Sequence, residues 1–139
     1  MRSINTISLL VHDYDEAIAF YIRKLGFSLL EDSALGDDGK RWVLISPGGG
    51  SSEPASSGRG GGATLLLARA SGEKQIQAVG NQAGGRVMFF LHTDDFWQDY
   101  QAMSKAGVIF NEEPREEVYG TIAVFQDLYG NLWDLIQPA

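Results

Sequence analysis

Residues 13–27 read DYDEAIAFYIRKLGF, and the fold turns on their pattern. Tyr14, Ile18, Tyr21 and Leu25 recur at spacings of three and four, the period of one apolar helix face. Asp13 precedes the run and Glu16 lies three positions on, as in a capping box with Asp in place of Ser or Thr. Gly26 suits the left-handed position just past a last helical turn. The spacing predicts a helix over this stretch, entered from the apolar strand ISLLV (7–11).

The pattern occurs twice. In VMFFLHTDDFWQDYQAMSKAGV (87–108) a strand again passes through Asp into an amphipathic helix that stops at Gly. Asp13 to Gly26 and Asp94 to Gly107 both span 13 positions, and Lys24 matches Lys105 at the same offset of 81. Asp94 is therefore the expected N-cap of the second helix, with Phe96, Tyr100 and Met103 as its buried face.

Further strands are expected at Arg41–Ser46 and Ala63–Ala68 in the first half, and at Thr121–Gln126 and Leu132–Gln137 in the second. The last two flank DLYGN (127–131), whose turn chemistry predicts a hairpin. Setting Gly62 against Gly130 gives an offset of 68, so the first module is longer by 13 residues, the difference from 81. The loop PGGGSSEPASSGRGGG (47–62) accounts for most of that excess. It lacks the GxxxxGK[ST] phosphate cradle and holds a single basic residue, Arg59, so it reads as a surface linker. The expected organisation is a first module over 1–70, a polar connection over 71–85 with one helical turn around Lys74–Val79, and a second module over 86–139.

Bulk composition narrows the function classes. The chain has 139 residues, 44% hydrophobic and 21% charged, enough to build a core without staples. A net charge of −7, with no basic run longer than Lys40–Arg41, argues against nucleic acid as partner. Absence of cysteine removes disulfides, thiol nucleophiles and thiolate metal sites. The first apolar stretch is too short for a signal core or a membrane span, so a cytoplasmic location is the default expectation.

Two βαβββ modules, the opening DYDEAIAFYIRKLGF and the closing YGTIAVFQDLYGNLWDLIQ (119–137) together resemble the vicinal oxygen chelate superfamily. That superfamily includes glyoxalase I, extradiol dioxygenases, and the bleomycin and fosfomycin resistance proteins. The resemblance covers nearly the whole chain, although Leu128-Tyr129 stands in the turn where Pro-Asp is common. It implies an α+β fold whose modules form a curved mixed sheet around a concave pocket, and a homodimer. These motifs specify a fold and leave the reaction open.

In metal-dependent members four side chains on the concave face hold a divalent ion. Those positions fall here on Thr6, Leu66, Met88 (Val87 by strict repeat counting) and Asp134. One potential ligand in four cannot hold zinc or iron, which need about three N or O donors. No neighbour of Thr6, Leu66 or Met88 is His, Asp or Glu, so a one-residue frame shift does not restore the set. No cofactor is therefore expected; a divalent metal at an atypical site through His12, His92 and Asp134 is the alternative.

Strand alternation then assigns the faces. Thr6, Ser8, Leu10 and His12 point inward with Thr64, Leu66, Ala68, Met88, Phe90, His92, Leu132, Asp134 and Ile136, while the residues between them pack under helices. The expected ligand pocket comprises Thr6, Ser8, His12, Leu66, Met88, Phe90, His92, Tyr119 and Asp134, a largely apolar surface with few polar groups. Asp134, a carboxylate in mid-strand between Trp133 and Leu135, is the best catalytic candidate. Arg41 with Trp42, and Arg86, offer cations and a stacking face. The expected function is metal-independent binding of a small organic molecule. The alternative is a glyoxalase-type lyase or isomerase using an atypical metal or acid–base catalysis by Asp134.

Overall fold

The computed structural model describes residues 1–48 and 62–139. Most of the Gly- and Ser-rich loop assigned as a linker thus lies outside the described residues. The chain divides into two compact units, Met1–Val79 and Gly80–Ala139. In the first, β1 (Thr6–Val11) leads into α1 (Tyr14–Ile18), which continues as a π-helical turn over Ala19–Lys24. Strands β2 (Ser28–Ala34), β3 (Arg41–Ser46) and β4 (Thr64–Arg69) follow, and the unit closes with α2 (Glu73–Ala78). Its sheet runs β1-β4-β3-β2, with β1 parallel to β4 and the other pairs antiparallel.

The second unit repeats the plan with β5 (Val87–His92), α3 (Phe96–Lys105), β6 (Ile109–Phe110), β7 (Arg115–Glu117), β8 (Gly120–Gln126) and β9 (Leu132–Pro138). Its sheet runs β5-β9-β8-β6, and β7 also pairs with β8. Here β6 and β7 share the place that β2 fills in the first unit. Pro114 sits just before β7, where it interrupts one strand into two because it has no N–H to give a ladder. The molecule is thus α+β with two mixed sheets, as the repeat implies.

The two copies differ inside by one residue, twice. Thr6 pairs with Thr64 and Val87 with Leu132, which preserves the offset of 81 between Thr6 and Val87. A β-bulge at Met88 then inserts a residue, because the next pair is Phe89 with Trp133. Beyond it the offset is 82: Ser8 pairs with Leu66 as Phe90 pairs with Asp134. The helix N-cap is accordingly Asp95, not the Asp94 expected from sequence. Asp95 Oδ1 accepts from Gln98 N–H at 3.1 Å, as Asp13 Oδ2 accepts from Glu16 N–H at 2.8 Å. Phe96 N–H at the same helix start donates to the Gln137 side chain at 2.8 Å, tying α3 to β9.

The π-turn of the first unit restores the offset. Phe27 N–H reaches back six residues to Tyr21 O, whereas Val108 N–H reaches back five to Met103 O. One extra residue in that turn brings Gly26 and Gly107 back to 81. It also rotates the buried face: Tyr14, Ala17, Phe20 and Tyr21 are buried, while Ile18 and Leu25 are only half-buried. The simple three–four spacing could not show this.

Alternation along the strands holds. Leu9, Val11, Val43, Ile45, Leu65 and Leu67 are buried in the first unit. Trp133, Leu135, Phe125 and Ala123 are buried in the second, beside Phe96 and Met103 of α3. Each fully buried large apolar side chain contributes about 1.5–3 kcal/mol. In the second unit an aromatic chain runs from Phe89 through Trp133 and Phe125 to Phe110 and Tyr100 at centroid spacings of 4.5–5.7 Å.

The β8–β9 hairpin is fixed by Asp127, which is buried. Its Oδ1 accepts from Tyr129 and Asn131 N–H at 3.0 Å each, and its Oδ2 accepts from Asn131 Nδ2 at 2.9 Å. Gly80 meets this turn closely: at φ 77, a Cβ there would lie 2.0 Å from the Tyr129 carbonyl oxygen. Only glycine fits.

Candidate functional site

Register in the second sheet gathers one face. Asp134 lies opposite Val124 on β8 and Phe90 on β5, Ile136 opposite Ile122 and His92, and Arg115 of β7 opposite Ile122. The other face carries Phe89, Leu91, Trp133 and Leu135, the helix side. Phe90 is 64% exposed at the edge strand and His92 is exposed beyond it.

Asp134 and Ile122 are buried on this face, and Asp134 is the polar one of the two. It is only 7% exposed, and its Oδ1 has no hydrogen-bond partner among the described residues. Burial pushes its carboxyl above the usual range; the nearby Arg115 guanidinium opposes that and the Glu112 carboxylate reinforces it. A buried polar atom left unpaired costs about 1–3 kcal/mol, so the position carries a stability penalty.

The groups around it come from the break between β6 and β7. Asn111 N–H donates to Val124 O at 2.8 Å, and Glu112 then folds back so that its Oε2 accepts from Val124 N–H at 2.9 Å. Its Oε1 accepts from Arg115 Nε at 3.1 Å. Arg115 Nη1 donates to Tyr119 Oη at 3.3 Å and to Glu117 Oε1 at 3.1 Å. Hydrogen bonds to Tyr119, Glu112 and Glu117 strengthen the hold of Arg115 on its proton. Tyr119 is 54% exposed, with its phenol aimed at a fixed cation. Sequence reading missed Glu112 and Arg115. The available signal was a proline interrupting a strand within NEEPREE (111–117).

The remaining candidates are more dispersed. In the first unit Thr6 and Thr64 share a hydroxyl–hydroxyl bond of 2.9 Å, and Thr64 Oγ1 also donates to Asn5 O at 3.1 Å. Ser8 is exposed, Leu66 opposite it is half-buried, and His12 is exposed past the end of β1. Met88 occupies the bulge, so the counts to Met88 and to Val87 differ by the inserted residue. Arg86 is exposed in the turn before β5. Arg41 is committed to carboxylates, at 2.7 Å from Asp32 and 3.0 Å from Asp15. His12 belongs to the first unit and His92 to the second. Among the described residues no three His, Asp or Glu side chains converge as a metal site. None of the described helices is long and apolar enough to cross a membrane.

The family model of the Glyoxalase/Bleomycin resistance protein/Dioxygenase superfamily matches residues 3–135. The chain belongs to that superfamily. An uncharacterised protein of Shewanella frigidimarina (strain NCIMB 400) is 54% identical over 136 residues, covering 98% of this chain and 93% of the relative. Among solved structures, UcmS2 superposes with a TM-score of 0.76 at 28% identity, covering 98% of each chain. TnmS3, an antibiotic binding protein from Streptomyces sp. CB03234, gives a TM-score of 0.74 at 25% identity over 100% of this chain and 98% of its own. This member of the glyoxalase/bleomycin resistance superfamily thus has structural neighbours that include an antibiotic-binding protein.

Proposed function

We propose that this chain is a metal-independent member of the superfamily that binds a small organic molecule, acting as a homodimer in the cytoplasm. The open face of the second sheet is its anchor, with Asp134 supplying the directional polar contact. The observation that carries this reading is the buried, unpaired Oδ1 on the strand position paired with exposed Phe90. An apolar surface with one unsatisfied polar atom is the composition of a ligand site, where the ligand provides the missing hydrogen bond. The antibiotic-binding neighbour TnmS3 supports a small-molecule ligand. The raised carboxyl also favours a second reading, in which Asp134 exchanges a proton with the bound molecule as a lyase or isomerase would.

A thermal-shift screen with antibiotics and aromatic small molecules tests the proposal, because a ligand at 100 times its Kd adds about 2.7 kcal/mol of stability. A compound that stabilises the wild type and leaves Asp134→Leu unmoved is the expected result. Equal stabilisation of both proteins removes Asp134 as the anchor. A stoichiometric divalent ion in protein purified without chelator, lost in Asp134→Ala, overturns the metal-free reading. Mass spectrometry of the recovered ligand separates binding from turnover.

A further inference from the structure

The first unit holds a cavity of about 640 Å³ between the β2–β3 turn and the β4–α2 connection. Its walls include Tyr14, Lys40, Arg41, Trp42, Leu66 and Arg69. The two arginines flanking Tyr14 have different surroundings. Arg41 Cζ lies 5.0 Å from the Tyr14 ring centroid and Arg69 Cζ lies 5.2 Å from it. Arg41 N–H also donates to Tyr14 Oη at 3.2 Å. Asp32 and Asp15 neutralise Arg41.

Arg69 makes no ion pair or side-chain hydrogen bond with any described residue. It reaches from the end of β4 to the β2–β3 turn, where a Cβ on Gly39 would lie 3.3 Å from its Nη2. Lys40, beside it in the wall, likewise makes no ion pair among the described residues. Asp38 is the only carboxylate among the described residues of the lining, and its Oδ1 accepts from Lys40 N–H at 3.1 Å. Two uncommitted cations thus face one cavity in a chain of net charge −7. Trp42, 38% exposed, and the half-buried Leu66 and Ala68 give it a flat apolar wall.

The geometry points to a second binding site, in the first unit, for a planar organic anion: a carboxylate held by Arg69 and Lys40, with its flat body against Trp42. Arg69 presents a planar fork that matches a carboxylate in two hydrogen bonds, whereas Lys40 supplies a point charge. The site is separate from the face built around Asp134, and its variants lie in the other unit.

Titration of the full chain with 1-naphthoate, followed by Trp fluorescence and calorimetry, tests the assignment. Its neutral analogue 1-naphthamide and the variants Arg69→Gln, Arg69→Lys and Lys40→Gln complete the set. The expected result is naphthoate binding that weakens with salt, at least tenfold weaker binding of the amide, and a loss of tenfold or more in Arg69→Gln. Arg69→Lys should retain part of the affinity. Circular dichroism of Arg69→Gln establishes that its fold is intact, and Lys40→Gln, which leaves both arginines on the Tyr14 ring in place, gives an independent reading. No binding at millimolar naphthoate, equal affinity for the amide, or indifference to both Arg69→Gln and Lys40→Gln overturns the assignment. Loss in Asp134→Leu with retention in Arg69→Gln transfers the probe to the second unit instead.

Discussion

Asp134 shows what one residue costs a fold and what it offers in return. The hairpin places it opposite Val124, between buried Trp133 and Leu135, where an apolar side chain would pack without penalty. Its folded carboxyl sits above the ordinary value near 3.9. Below that ordinary value both folded and unfolded chains are protonated, and the group costs least. As pH rises, the unfolded chain ionises first, so stability falls until the folded carboxyl has ionised as well. Asp134→Leu should therefore be more stable than wild type by about 1–3 kcal/mol at neutral pH. The gain should shrink in urea unfolding near pH 3, and binding of the ligand anchored by Asp134 should be lost throughout. A variant less stable than wild type at neutral pH would show that Asp134 is a structural residue. Its face and mid-strand setting were legible from sequence, because a period of two fixes the face. Glu112, Arg115 and Arg69 were not, because their roles depend on where a broken strand and a cross-strand reach place them.

Elements reveal a different limit. The strand–Asp–helix–Gly repeat is written in residue types, and β3 coincides with its expected range. The repeat nevertheless concealed two insertions that cancel: the bulge at Met88 and the π-turn over Ala19–Lys24. Matching ends at an offset of 81 made Asp94 look like the partner of Asp13, although the cap is Asp95. Local propensity does not distinguish adjacent aspartates; hydrogen-bond geometry does. Replacing Asp95 with Ala should cost about 1 kcal/mol of stability, the usual worth of an N-cap. Asp94→Ala, exposed and outside the cap, should lie within about 0.5 kcal/mol of wild type. Chemical denaturation of the two variants side by side decides it; equal losses would mean that the cap is shared.

At the scale of the whole molecule, the chain forms two compact units, Met1–Val79 and Gly80–Ala139, each owning one mixed sheet. Each sheet also ends in an edge strand with exposed apolar side chains. Leu29 and Leu30 are 42% and 43% exposed on β2, and Phe90 projects from β5. Edge strands of this kind are ordinarily covered or charged, because unpaired backbone groups and bare apolar side chains invite association. A second copy of the chain is the covering that the family resemblance implies. Sedimentation equilibrium at micromolar concentration should then return twice the chain mass of 15.2 kDa. The thermal midpoint should rise with protein concentration, since a dimer that unfolds to monomers gains stability by mass action. A mass of one chain together with a midpoint independent of concentration would establish a monomer, and the exposed edges would then have to be tolerated bare.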